Sequence, residues 1–413
     1  MVGGERARVT DAAPPRDPWE PLRYPVYRAL WLAAIGSNIG TWMHTVAASW
    51  LMATLTASPL PVALVQTANS LPVFLLGLFA GALADLVERR RLLLVTQSLM
   101  LATAAVLGAV AWFGFATPAR LLALTFALGI FTALNGPAWT AAVPETVPRP
   151  VLPTAVALNS VGFNIARATG PAVGGFLVAA TQPAVAFFLN ALSFAGVIGV
   201  LARWRPERDP AAERPESFRG ALAGGLEYFR TAADFRHVLY RSGLFGLAAS
   251  AMWALLPVVA KAEFGSAAGY GVLLGCVGAG SVAGATVMPR LRERYGPDGV
   301  AWRGAAGIAL MVASLAVSRY FVVSCVAMLG AGIAWLNVMS QFNIAAQATP
   351  PAPLRARALA MYLLVFQGAL AAGAGLWGAV ASQWGAAAAL LAAAALLAAS
   401  AGAARLWWPL PKA

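Results

Sequence analysis

Charge is scarce in this chain. Asp, Glu, Lys and Arg make up 11% of 413 residues, against 60% hydrophobic, where a soluble globular domain carries about one quarter charged residues. Mean hydropathy is +0.71. The shortage excludes a water-soluble globule and leaves a polytopic membrane protein. Cysteine is scarcer still. Cys276 and Cys325 each sit alone in an apolar run, with no paired spacing for a disulfide framework, a zinc site or a redox dithiol. Both read as small buried hydrophobes. The only lysines are Lys261 and Lys412, so no Gly-x-x-x-x-Gly-Lys phosphate loop exists and an ATP-driven pump is excluded. Neither Gly-x-Ser-x-Gly nor His-Glu-x-x-His occurs, which argues against a membrane hydrolase. No enzymatic activity, cofactor or metal is expected. The segment up to Arg28 has no apolar h-region, so no cleaved signal peptide is expected and the first span acts as its own insertion signal.

The charge that is present is lopsided, 29 basic against 16 acidic residues. A basic face on a soluble fold would suggest nucleic acid. Here the arginines fall between apolar runs, which is a topology signal and excludes a nucleic-acid partner. Twelve runs are long enough to cross about 30 Å of hydrocarbon: 29–54, 61–83, 92–115, 121–143, 152–180, 185–201, 238–259, 269–288, 300–318, 320–346, 358–378 and 386–406. With the N-terminus inside, 25 of the 29 basic residues fall inside. Arg120, Lys261 and Arg319 fall outside, and Arg167 lies within a span. Both termini are therefore expected to be cytoplasmic.

The chain repeats itself. Gly81-Ala opens a turn into arginines, and so does Gly284-Ala, at an offset of 203. Asn135 and Leu152 have counterparts in Asn337 and Leu354 at an offset of 202. Two landmarks at nearly one offset predict duplicated six-span halves in the same orientation. The expected organisation is a tail over 1–28, a first half over 29–203, a cytoplasmic linker over 204–237 and a second half over 238–413. In the linker, Phe218, Leu222, Leu226 and Phe229 recur at helical spacing, as in a helix lying on the membrane face.

Twelve spans in two halves, a basic central loop and the turn Gly81-x-x-x-Asp85-x-x-x-Arg89-Arg90 resemble the major facilitator superfamily. Ser37-Asn-Ile-Gly-Thr-Trp42-Met, Pro137-Ala-Trp with Pro144-Glu-Thr-Val, and Ala157-Leu-Asn159-Ser with Gly170-Pro-Ala-Val-Gly-Gly175 sharpen the likeness. Together they resemble its exporter branch, the one that includes the enterobactin exporter. The resemblance implies an all-α fold of twelve transmembrane helices in two six-helix halves, in the bacterial inner membrane. It also implies alternating access, export of a small organic compound and coupling to protons. A monomer in the lipid bilayer is expected. An importer or facilitator of the same fold, or a non-transporting membrane sensor, is the alternative. The chain departs from the family's turn at Leu86 and Glu88, and the second-half turn has Met288 where an aspartate belongs.

The resemblance makes Gly81, Asp85, Arg89 and Arg90 gating residues, with the turn's arginine paired to an acid near the fourth span; Glu145 is the available one. The plain alternative is a topology signal with an incidental carboxylate. Candidate cavity residues are Asn38, Trp42 and Thr45 on the first span, Gln66 and Asn69 on the second, and Asn135 on the fourth. Asn164 and Arg167 on the fifth, Trp253 on the seventh and Asn337 with Gln341 on the tenth complete the set. Amides, hydroxyls and aromatics without dense charge suit an amphipathic organic molecule; each can also serve as a hydrogen bond between helices. Arg167 either attracts an anionic cargo or pairs with Asp85 or Glu145. His44 is the one imidazole inside a span, so it is either the proton carrier or a packed neutral side chain.

Overall fold

The computed structural model describes residues 17–205, 230, 232–351 and 354–410, without the side chains of Leu78, Ala82, Asp85 and Ala356. The linker helix expected around 217–230 falls almost wholly outside the described residues. Those described form an all-helical bundle: α1 (Pro25–Leu55), α2 (Pro59–Leu86), α3 (Arg89–Trp112), α4 (Pro118–Ala142), α5 (Leu152–Ala180), α6 (Pro183–Arg203), α7 (Ala233–Val259), α8 (Ala267–Val317), α9 (Phe321–Ala348) and α10 (Arg355–Trp407).

Local chemistry sets the boundaries. α1, α2, α4 and α6 each begin on a proline, whose missing N–H is no loss in a first turn and whose φ is already helical. Thr117 and Ser266 cap α4 and α8 by accepting the backbone N–H groups of Arg120 and Gly269. A single turn of π-helix, Ala260–Phe264, continues α7 and stops at Gly265, which takes a positive φ. α8 and α10 span 51 and 53 residues, and each contains one non-helical residue, Gly296 and Gly385, with positive φ. At 1.5 Å per residue either helix would be over 75 Å long if straight, far more than a bilayer core of about 30 Å. Among the described residues, eight helical stretches are long and apolar enough to cross a membrane on length and composition. α1 and α5 match them in length but carry more polar side chains, Asn38, Thr41, Thr45 and Ser49 on one, Asn159, Asn164 and Arg167 on the other.

Helices α1–α6 pack mainly among themselves, as do α7–α10, and the two sets meet along α5 with α8 and along α2 with α10. Glycine makes the first seam. A Cβ on Gly175 would lie 2.5 Å from Gly271 Cα, and one on Gly278 would lie 2.5 Å from Ala168 Cα. At the second seam Thr67 donates to the carbonyl of Ala371 at 2.9 Å, and Ser382 Oγ accepts the Leu60 N–H at 3.0 Å. Lys261 closes the same end of the bundle by donating to the Ala53 carbonyl near the end of α1. These contacts run from the end remote from the arginine turns to about mid-helix. Cys276 and Cys325, read from sequence as separate, are free thiols that meet across α8 and α9. The close packing of these helices, where Gly332 sits against the Val277 carbonyl, brings them together.

Candidate functional site

Where the two sets meet at mid-depth, a small pocket is lined by Trp42 of α1, Arg167 and Pro171 of α5, Trp253 of α7, and Leu274, Val277, Gly278 and Ser281 of α8. The packing of α1 on α5 explains how Trp42 arrives there. Gly170 lies against its Cβ and Gly174 against the backbone of Met43, so neither position has room for a side chain. Three of the sequence-predicted cavity residues, Trp42, Arg167 and Trp253, thus line one pocket. Arg167 Nη2 donates to Asn164 Oδ1 at 2.9 Å, and Asn164 in turn donates to the Ser160 carbonyl. Among the described residues Arg167 has no carboxylate partner, and Glu145, one of the two proposed for it, is engaged elsewhere. Trp253 packs edge-on against Trp335 with ring centroids 5.3 Å apart, and its buried indole N–H has no acceptor among the described residues.

Other predicted residues are used within a helix or between neighbours. Gln66 donates to Ser70 Oγ and Asn69 to the Val65 carbonyl, each one turn away on α2. Thr45 donates back to the Thr41 carbonyl, and Asn38 is half-buried on α1. Asn135 Oδ1 accepts from Thr96 and Gln97, so it ties α4 to α3. Asn337 is 2% exposed and donates to the carbonyls of Gly284 and Ile333, tying α9 to α8; Gln341 is 1% exposed with no partner among the described residues. His44 is 3% exposed and packs on Phe187 of α6 at 4.7 Å between centroids, with neither ring nitrogen bonded among the described residues. That environment is a packed core inside the first set of helices.

At the arginine turn the three basic residues have separate tasks. Arg89 forms an ion pair with Glu145 and donates to the Ala141 carbonyl at 3.3 Å, fixing the start of α3 to the end of α4. Arg90 donates to the carbonyls of Leu201 and Ala202, at 2.9 and 2.8 Å. These are among the last carbonyls of α6, which have no intrahelical donor and carry the negative end of its dipole. Arg91 is exposed. Gly81 borders open space on the side where a Cβ would project, and Asp85 lies in the last turn of α2.

Sequence reasoning missed a buried arginine. Arg241 of α7 is 4% exposed, pairs with Asp298 just beyond the Gly296 break, and donates to the Trp408 carbonyl at 3.1 Å. Asp298 Oδ1 also accepts the Leu410 N–H at 3.0 Å. The one available signal for Arg241 was its place four residues inside the apolar run from 238.

The bundle of two helix sets meeting along a seam has the major facilitator fold. A crystal structure of a mutant of the nucleoside transporter NupG superposes with a TM-score of 0.75 at 14% identity, covering 92% of this chain and 98% of that one. A bacterial homologue of the human lysosomal transporter Spinster, in an inward-facing and occupied conformation, gives 0.74 at 13% identity, covering 92% and 96%. The chain belongs to the transmembrane secretion effector family, which it matches over residues 16–413. It is similar to the staphyloferrin A transporter of Staphylococcus aureus, 25% identical over 62% of this chain and 65% of that one. It also resembles the multidrug efflux pump Tap of Mycolicibacterium fortuitum, 30% identical over 48% and 50%. With the enterobactin exporter EntS of Salmonella typhi it shares 25% identity over 79% of each. The first two matches thus span between half and two thirds of those relatives.

Proposed function

We propose that this protein is a twelve-span secondary transporter that exports a small amphipathic organic compound, a siderophore-like metabolite or a drug, by alternating access between two six-span halves. The breaks at Gly296 and Gly385 turn two overlong helices into four spans, and α1 and α5 supply two more beyond the apolar eight. Residues 29–203 and 238–413 are then the halves, with both termini on the cytoplasmic side. The observation that carries the reading is the pocket with Trp42 and Arg167 from one half and Trp253 and Ser281 from the other. A site shared across a seam is one that relative motion of the halves exposes first to one side and then to the other. The close contacts at the end remote from the arginines suit a state sealed on the outer side. Relatives named for export and efflux favour the outward direction.

The test uses purified protein in liposomes loaded with a panel of fluorescent amphipathic dyes. Counterflow or efflux above that of protein-free vesicles is expected, and uphill efflux from loaded cells should collapse with a protonophore. Binding without flux would instead identify a sensor, and uphill efflux that persists under the protonophore would reject proton coupling. In the same assay Asp85→Asn should insert normally and lose most of its flux, about tenfold or more. The reason is position. Asp85 lies in the last turn of α2, where the family resemblance puts the gating carboxylate, whereas Arg89–Glu145, partly open to solvent, adds little to stability by itself. Wild-type flux from well-inserted Asp85→Asn protein would reject the gate.

A further inference from the structure

We infer that the cargo is an organic anion with a flat apolar body, its negative charge on Arg167 and its body against Trp42 and Trp253. The inference rests on the transport reading for calling the ligand cargo, and on the pocket alone for its charge. Arg167 lies midway along the 29-residue α5, a depth at which a cation persists only with a partner or beside water. Its described partner is the neutral oxygen of Asn164. Among the described residues no carboxylate lies at that level. In the helices that build the pocket, 25–55, 152–180, 233–259 and 267–295, the only acids are Asp234 and Glu293, both in terminal turns.

A second donor points to the same sign. Trp253 contributes a buried indole N–H without an acceptor among the described residues. The Ser281 hydroxyl proton is taken up by the carbonyls of Val277 and Gly332. The pocket therefore has an unspent indole donor and a full positive charge, which an acceptor of negative charge satisfies together, while Ser281 is left with acceptor lone pairs alone. A cation would be repelled. A neutral molecule would leave the guanidinium uncompensated once closure of the halves expelled water, and a closed state with an unpaired charge is disfavoured. An anion removes that penalty, so its binding favours closure. The indole rings supply apolar faces for a flat body.

Two dyes on one xanthene scaffold separate the signs, 6-carboxyfluorescein as the anion and rhodamine 6G as the cation. Fluorescence anisotropy with the purified full chain should show the anion bound at least about tenfold more tightly. Arg167→Gln should lose that preference by weakening the anion alone, and Arg167→Lys should retain part of it. Without dye, Arg167→Met should melt at a higher temperature than wild type, because it removes an uncompensated cation. Equal binding of both dyes, binding of neither, or unchanged anion affinity in Arg167→Gln would overturn the inference. So would a lower melting temperature of Arg167→Met, which marks a structural arginine. Reconstitution keeps the two readings apart. An anion that binds but does not cross leaves this site standing and removes transport; a cation that crosses in preference leaves transport standing and removes the anion.

Discussion

Replacing Gly271 with leucine should reduce transport to the level of empty vesicles while leaving the protein in the membrane. At this position a Cβ would fall 2.6 Å from Gly175 Cα and 2.8 Å from the Pro171 carbonyl. Those atoms are backbone of the facing helix, so no side chain can swing away to make room. Overpacking a close contact costs about 1–3 kcal/mol and sometimes more, and every 1.4 kcal/mol is about tenfold in population. The state with α5 against α8 would become rare, and a carrier that cannot reach one of its two states does not turn over. Insertion depends on each span's own hydropathy, so it should be spared. Gly402→Leu is the matched control, since no atom lies within 4 Å of its Cβ position. Flux per inserted molecule decides the matter. Wild-type flux from Gly271→Leu would mean that the α5–α8 approach has no part in the cycle.

The largest loss of stability is expected from Asp298→Ala. Arg241 is almost wholly buried, and Asp298 is its only charged partner among the described residues. Removing one member of a buried pair leaves an uncompensated charge, at a cost of about 3–5 kcal/mol. The same substitution frees the Leu410 N–H and loosens the residues after α10. Thermal unfolding of the purified protein should show a large fall in melting temperature. Arg241→Met combined with Asp298→Ala should recover much of it, because the orphaned guanidinium is then absent. Equal losses in the single and double variants would place the contribution in packing rather than in the pair. In contrast to Arg167, this arginine is expected to be destabilising to lose as well as to orphan, since it also holds the Trp408 carbonyl.

Much of the fold could be read from hydropathy and helix punctuation. The run from 152 to 180 coincides with α5, and prolines at 25, 59, 118 and 183 mark the helix starts a few residues ahead of the apolar runs. Apolar length reports a span because the bilayer sets it. Which neighbour a polar side chain meets is a tertiary matter that a helical wheel does not contain. Asn135, Asn337 and Trp42 all lie on plausible inner faces. Only the packing shows that the first reaches α3, the second reaches α8 and the third reaches the shared pocket. His44 illustrates the same limit: its place within a span did not reveal Phe187 of α6 as its neighbour. The Arg241–Asp298 pair escaped because its members are 57 residues apart, with no periodicity to link them.

The anchorage of residues 408–410 also bears on the order of assembly during synthesis. Arg241 enters the bilayer margin with α7, before Asp298 has been made and well before the Trp408 carbonyl exists. Since chains emerge and fold from the N-terminus at about 5–20 residues per second, the second group of helices must wait for the last turn of α10 before its buried cation is fully satisfied. Ribosomes stalled short of residue 408 would therefore hold a nascent chain whose first six helices are complete and whose remainder is still unlatched.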